Sequence, residues 1–166
     1  MPDPRSPILP VLARSGLTVG VTDGLFASAT GVLIAPYATP FRVFRGVASV
    51  IFGKDALNGG TPMALVGIAM HFFTAFFWSL VFILVVRSFG VVRRAITSWP
   101  GALLVAAIYG SAIWLFMSLV FIPAMVHRDP TIALKWWVQL IGHMPFVALP
   151  MVLVNRSYLR QVSQLR

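Results

Sequence analysis

Apolar residues dominate four stretches of this chain, each long enough to cross about 30 Å of hydrocarbon as a helix, and short polar segments separate them. The first stretch runs from about Ser15 to Ala35, the second from Pro62 to Val86, the third from Pro100 to Ile122 and the fourth from Pro130 to Val154. Three starts read as a capping side chain followed by an early proline: Thr61-Pro62, Ser98-Trp99-Pro100 and Asp129-Pro130. There an oxygen accepts an orphan N–H and proline takes a slot that needs no donor. Pro36 and Pro123 read as stops for the first and third spans, while Arg87 and Arg156 mark water at the ends of the second and fourth. The pattern predicts an all-α fold, a four-transmembrane-helix bundle over residues 15–154, with an N-terminal segment (1–14) and a basic tail (155–166).

A secretory signal peptide is the competing reading of the first stretch. Asp23 interrupts its apolar run, the run is about 21 residues long, and no A-x-A-like site follows it cleanly. A retained helix is expected instead.

The first loop holds a pattern of its own. Phe41, Phe44, Val47, Ala48, Ile51 and Phe52 recur at helical spacing after Thr39-Pro40, with Arg42, Arg45 and Ser49 on the other face. Gly53 fits the stop, and Asn58-Gly59-Gly60 reads as a turn. A short interfacial amphipathic helix over about 40–52 follows. Either Arg42 and Arg45 reach lipid phosphates, or the helix packs over the mouth of the bundle as a lid.

Composition agrees with membrane insertion. Of 166 residues 58% are hydrophobic and 10% charged, and the mean hydropathy is +0.88; soluble domains carry about 25% charged residues. Thirteen Lys+Arg against four Asp+Glu give +9, but the charges sit between apolar runs and form no nucleic-acid patch. Eight basic residues (Arg5, Arg14, Arg87, Arg93, Arg94, Arg156, Arg160, Arg166) fall on one side of the four-span topology. Five (Arg42, Arg45, Lys54, Arg128, Lys135) fall on the other, so both termini are expected in the cytoplasm. The absence of cysteine removes disulfides, thiolate metal sites and cysteine nucleophiles. No phosphate-binding glycine loop, G-x-S-x-G or H-E-x-x-H is present, and the spans hold one aspartate and no glutamate, which leaves no di-metal carboxylate site and no hydrolase signature.

Ionisable residues within spans are costly and are functional candidates by default. Counting a 1.5 Å rise from the end opposite the termini puts Asp23, Thr74, Tyr109 and His143 at ~18–20 Å, and His71, Ser111 and Gln139 at ~14–17 Å. One polar layer near the midplane is expected, formed by Asp23, His71, Tyr109, His143 and Gln139. Gly16, Gly20, Gly24 and Gly31, with Ser28, make a small-residue ridge along the first helix that allows close helix packing, within this chain or with another copy. Asp23 flanks that ridge and points toward protein.

Four uses of the layer remain open: proton-coupled transport or a proton-linked stress response through Asp23 and the histidines; a haem b, or a metal ion, held by His71 and His143 from opposite helices, with Asp23 completing a two-histidine, one-carboxylate iron set; hydrogen bonds that only fix helix register; or the role of an accessory subunit in a larger membrane complex. A homo-oligomer is also compatible, and the bilayer is the expected partner in every case. His127, beside Arg128 in the third loop, is expected in water. Trp99, Trp136 and Trp137 are expected at interfaces, with Trp78 and Trp114 packed deeper.

Gly20 to Gly24, Gly59-Gly60, His71-Phe72 and Gly142-His143, in this order, resemble the YagU-like group of small bacterial inner-membrane proteins of unknown function. The likeness lies mainly in helices two to four, and this chain is shorter in its first loop. The resemblance implies a place in the bacterial inner membrane and implies no chemistry.

Overall fold

In the computed structural model the described residues are 8–34 and 38–164, apart from the side chains of 162 and 163. Arg5, Ala35, Pro36 and Arg166 lie outside them. The described chain forms helices α1 (Ile8–Ile34), α2 (Pro40–Phe52), α3 (Gly60–Ser88), the short α4 (Gly90–Ala95), α5 (Trp99–Val126) and α6 (from Leu134). Four of these, α1, α3, α5 and α6 over Leu134–Gln161, are long and apolar enough to span a bilayer. Helix is the solution available to a chain in lipid, because no water is present to satisfy backbone N–H and C=O groups. The outward faces carry Leu25, Leu33, Phe73, Ile108 and Ile141, all exposed, which requires lipid around them. The chain is a multi-pass membrane protein.

Two starts form as their capping residues dictate. The Thr39 hydroxyl accepts the Arg42 N–H at 3.2 Å, and the Ser98 hydroxyl accepts the Gly101 N–H at 3.2 Å. Two other starts differ from expectation. Gly60, at φ 64°, already begins α3, and Thr61 caps nothing. The fourth helix starts at Leu134 rather than Pro130, with Ala133 as its uncapped N-cap. Pro123 does not end the third span. A wide turn over Met117–Phe121, in which the Ile122 N–H bonds to Met117 C=O five residues back, carries α5 past the proline. The helix stops at His127, which is exposed and left-handed at φ 51°. Arg156 does not mark water either. The last helical segment, Leu149–Gln164, continues beyond it, and Arg156 is only 6% exposed.

Packing is organised around α1, which lies against both α3 and α6. Gly16 and Gly20 face the rings of Phe76 and Phe72 on α3, Gly24 faces His71, and Gly31 faces Val43 of α2. A methyl group at Gly16 or Gly20 would enter a phenyl ring, so the ridge is spent on contacts within the chain. α3 and α5 meet through side chains: the Tyr109 ring lies 4.9 Å from Phe82 and 6.4 Å from Trp78, and Trp78 lies 5.8 Å from Phe116. Phe82, Val86, Ile96, Ala102, Met151 and Val152 fill the core toward the α4 end.

At the opposite end α2 packs over the bundle as a lid, with Arg42 left on its exposed side. Its Ala48 is fully buried, and it touches α1, α3 and the Ile122–Val126 end of α5. The Phe44 main chain lies directly on Gly67 of α3, where a Cβ would overlap it, and the Phe44 ring meets the His71 ring edge-on at 5.6 Å. Gly67 is seven residues into α3, so the lid descends about 10 Å below the start of that helix.

Replacing Gly67 by Val is expected to undock α2 and destabilise the protein by about 1–3 kcal/mol, measured as a shift in detergent-induced unfolding; an unchanged midpoint would reject the close Phe44–Gly67 approach. Because the chain lacks cysteine, the single variants Asn58→Cys and Thr97→Cys report topology cleanly. An impermeant thiol reagent should reach them from opposite faces of a vesicle.

Candidate functional site

Asp23 stands on the helix that packs against both histidine-bearing helices. His71 of α3 points its Nε2 at the Gly20 carbonyl, 2.9 Å away. A carbonyl only accepts, so Nε2 carries a hydrogen and Nδ1 is the nitrogen left to face Asp23. The Asp23 Oδ2 lies 3.9 Å from that Nδ1, and the two side chains are 20% and 11% exposed. Phe44 and Phe72 both meet the imidazole edge-on. The glycines explain this placement. Bare backbone at Gly20 and Gly24 lets the ring come against α1, and a Cβ at Gly24 would stand 3.3 Å from Nε2.

The His143 imidazole is buried between α1, α5 and its own helix. Its Nδ1–H donates to the Gln139 carbonyl at 2.7 Å, one turn back, and its ring lies 4.8 Å from that of Trp114. Gly110 of α5 faces the His143 carbonyl with no room for a side chain, which holds these two backbones together. Gln139 donates its amide to the Thr30 hydroxyl at 2.9 Å, and Thr30 donates in turn to the Phe26 carbonyl at 2.9 Å. Gln139 and Thr30 thereby tie α6 to α1.

The backbone beside His143 is irregular because Pro145 and Pro150 both lack the N–H that a regular helical ladder needs. Pro150 has no N–H to offer the Phe146 carbonyl four residues earlier, and a wide turn spans Met144–Ala148. The Thr22 hydroxyl of α1 lies 2.6 Å from that carbonyl and bonds to it. Phe26 stacks on Phe146 at 4.5 Å. Thr22 therefore ties the opened turn of α6 to the helix that carries Asp23, one residue away.

Among the five residues expected in the midplane layer, the structure brings Asp23 to His71 and joins Gln139 and His143 on α6. Tyr109 turns elsewhere. Its hydroxyl donates to the Trp78 carbonyl of α3 at 2.9 Å, and its ring packs on Phe82. Thr74 bonds within its own helix to the Met70 carbonyl at 3.0 Å.

Comparisons with protein-family models, with curated proteins and with solved structures each find no match for this chain.

Sequence reasoning missed Thr22, Thr30 and Phe44. For Thr22 a signal existed, since Pro150 announces a carbonyl in need of a donor. Phe44 carried none, as its ring reaches His71 only because α2 descends into the bundle. Among the described residues no three of His, Asp, Glu and Cys come together as a metal-ion ligand set. Both histidines spend one nitrogen on a backbone carbonyl, and the His71 Nε2–H would have to leave Gly20 before that nitrogen could bind a haem iron.

Tyr109→Phe is expected to cost about 0.5–1.5 kcal/mol of stability in detergent-induced unfolding, and Thr22→Val a similar amount. The two should part in one respect: Thr22→Val perturbs the Asp23 environment and Tyr109→Phe does not. Ring chemical shifts of 15N-labelled His71 would tell them apart.

Proposed function

We propose that this protein carries protons across the bacterial inner membrane, alone or coupled to a solute, with Asp23 and His71 as the exchanging pair and His143 as the next station. The observation that carries the reading is the 3.9 Å approach of Asp23 Oδ2 to His71 Nδ1 within the spanning region. With one proton between them the pair is neutral overall, whether as carboxylic acid with imidazole or as carboxylate with imidazolium, and so is tolerated in low dielectric. Adding or removing one proton charges the pair by one unit, which is the event a relay needs. The separation exceeds hydrogen-bond reach, so a proton passes when the side chains close by about 1 Å or through a bridging water. Because the Nε2–H is held by Gly20, the exchange is confined to Nδ1. Phe44 on the α2 lid sits against the same ring, so tilting α2 would change access to the pair from its end.

The rest of the reading follows the distribution of charge. Arginine excess toward the α4 end supports both termini in the cytoplasm, and the exposed Arg42 of α2 supports contact with lipid phosphates at the other face. Membership of the YagU-like group, carried by the Gly20, Gly59-Gly60, His71-Phe72 and Gly142-His143 features, belongs to the same proposal.

In liposomes with an internal pH dye and an imposed gradient, the wild-type protein should move protons faster than empty vesicles. Asp23→Asn and His71→Gln should each lower the rate by about ten-fold or more, while His127→Ala leaves it unchanged. Wild-type flux equal to empty liposomes, or full flux in Asp23→Asn, would refute the proposal.

A further inference from the structure

The α4 end of the bundle buries a cation that no carboxylate among the described residues neutralises. Arg156 is 6% exposed. One of its nitrogens, Nη2, donates to the Thr97 carbonyl at 3.0 Å. Its Nε and Nη1 are buried and have no hydrogen-bond partner among the described residues. The described carboxylates are remote, since Asp23 lies at mid-depth and Asp55 and Asp129 belong to the loops at the other end. Leaving two guanidinium donors unpaired in a buried place is costly, by several kcal/mol for an uncompensated charge, and such a site persists where an anion completes it.

The surroundings fit an oxyanion. Thr97 and Ser98 form the turn that opens α5, an 18-residue helical run from Trp99 to Phe116 before the wide turn. A helix start carries a partial positive charge, although here Pro100 has no N–H and the Gly101 N–H is taken by the Ser98 hydroxyl. The guanidinium therefore lies at this start, held by the carbonyl of the residue before the N-cap. Trp99 covers it, with the Arg156 guanidinium carbon 4.4 Å from the ring centroid. Trp99 itself is 58% exposed, so the cover of the guanidinium stands at the surface of the bundle. Arg94, exposed on α4, adds positive potential on the same side, and Arg93 is tied to the Val86 and Arg87 carbonyls.

We infer that Arg156, with Trp99 as its cover and the start of α5 beside it, binds a phosphate oxyanion at the membrane boundary, supplied by an anionic lipid headgroup or by free phosphate. A guanidinium presents paired donors along its edges that match two phosphate oxygens; Nη2 gives one of its two hydrogens to Thr97, and its second completes an edge with the unpartnered Nε–H or Nη1–H. The site is independent of the Asp23–His71 pair.

The test follows Trp99 fluorescence in a neutral maltoside detergent, taken as the difference between wild type and Trp99→Phe. Short-chain phosphatidylglycerol and inorganic phosphate are titrated separately. A saturable change with phosphatidylglycerol alone assigns a lipid headgroup, and a saturable change with inorganic phosphate as well assigns a soluble source. In either case Arg156→Gln should weaken the midpoint by about ten-fold. Should Arg156→Gln fail to fold, Trp99→Ala provides the second measurement. It keeps the guanidinium and removes the cover, and phosphatidylglycerol should raise its thermal midpoint as it does for wild type. No saturable change with either probe, an unchanged midpoint in Arg156→Gln, or no thermal shift in wild type and Trp99→Ala would overturn the inference.

Discussion

Close approach of α3 to the bare backbone of α1 is the constraint from which the rest of this bundle follows. Lipid tails are as apolar as leucine, so helices in a membrane gain little from hiding apolar surface and associate through tight packing and hydrogen bonds. The glycines at 16, 20 and 24 let Phe76, Phe72 and His71 of α3 seat against the first helix. His71 then comes within hydrogen-bond distance of Gly20 and beside Asp23. With larger residues on the ridge the helices would stand apart, and an aspartate at mid-depth would face neither its imidazole nor water.

Proline and wide turns act in concert on the other half of the bundle. In α5 and α6 they open the regular ladder near Pro123 and Pro150, and each helix nonetheless continues. The carbonyl released by Pro150 is taken by Thr22, so irregular backbone is tolerated because it is buried in protein and satisfied there. α1 thus binds α3 through glycines and α6 through hydroxyl and amide hydrogen bonds. Asp23 lies on a helix in contact with both histidine-bearing partners.

Much of the fold was legible in the sequence, and the reasons for the misses are physical. Span count, the caps at Thr39 and Ser98, and the helix over 40–52 follow from local chemistry that tertiary packing left unchanged. Boundaries at Pro123, Pro130 and Arg156 were misplaced because proline and arginine were read as if water stood beside them, whereas the bundle absorbs one proline in a wide turn and buries the arginine under Trp99. For the candidate site, depth was readable from the 1.5 Å rise, but angular position was not. Helices bathed in lipid are apolar all round, so no amphipathic stripe says which face turns inward. Tyr109 lies at the expected depth yet turns to Trp78, while Asp23 at similar depth meets His71. The ridge of small residues was the exception, since it marked the inner face of α1 directly.

Infrared difference spectroscopy across a pH titration reads the proposed sharing of a proton between Asp23 and His71. A protonated-carboxyl band is expected that disappears in Asp23→Asn and shifts in frequency and titration midpoint in His71→Gln, with His127→Ala leaving it in place. A band assigned to Asp23 that is indifferent to the replacement of His71 would contradict it.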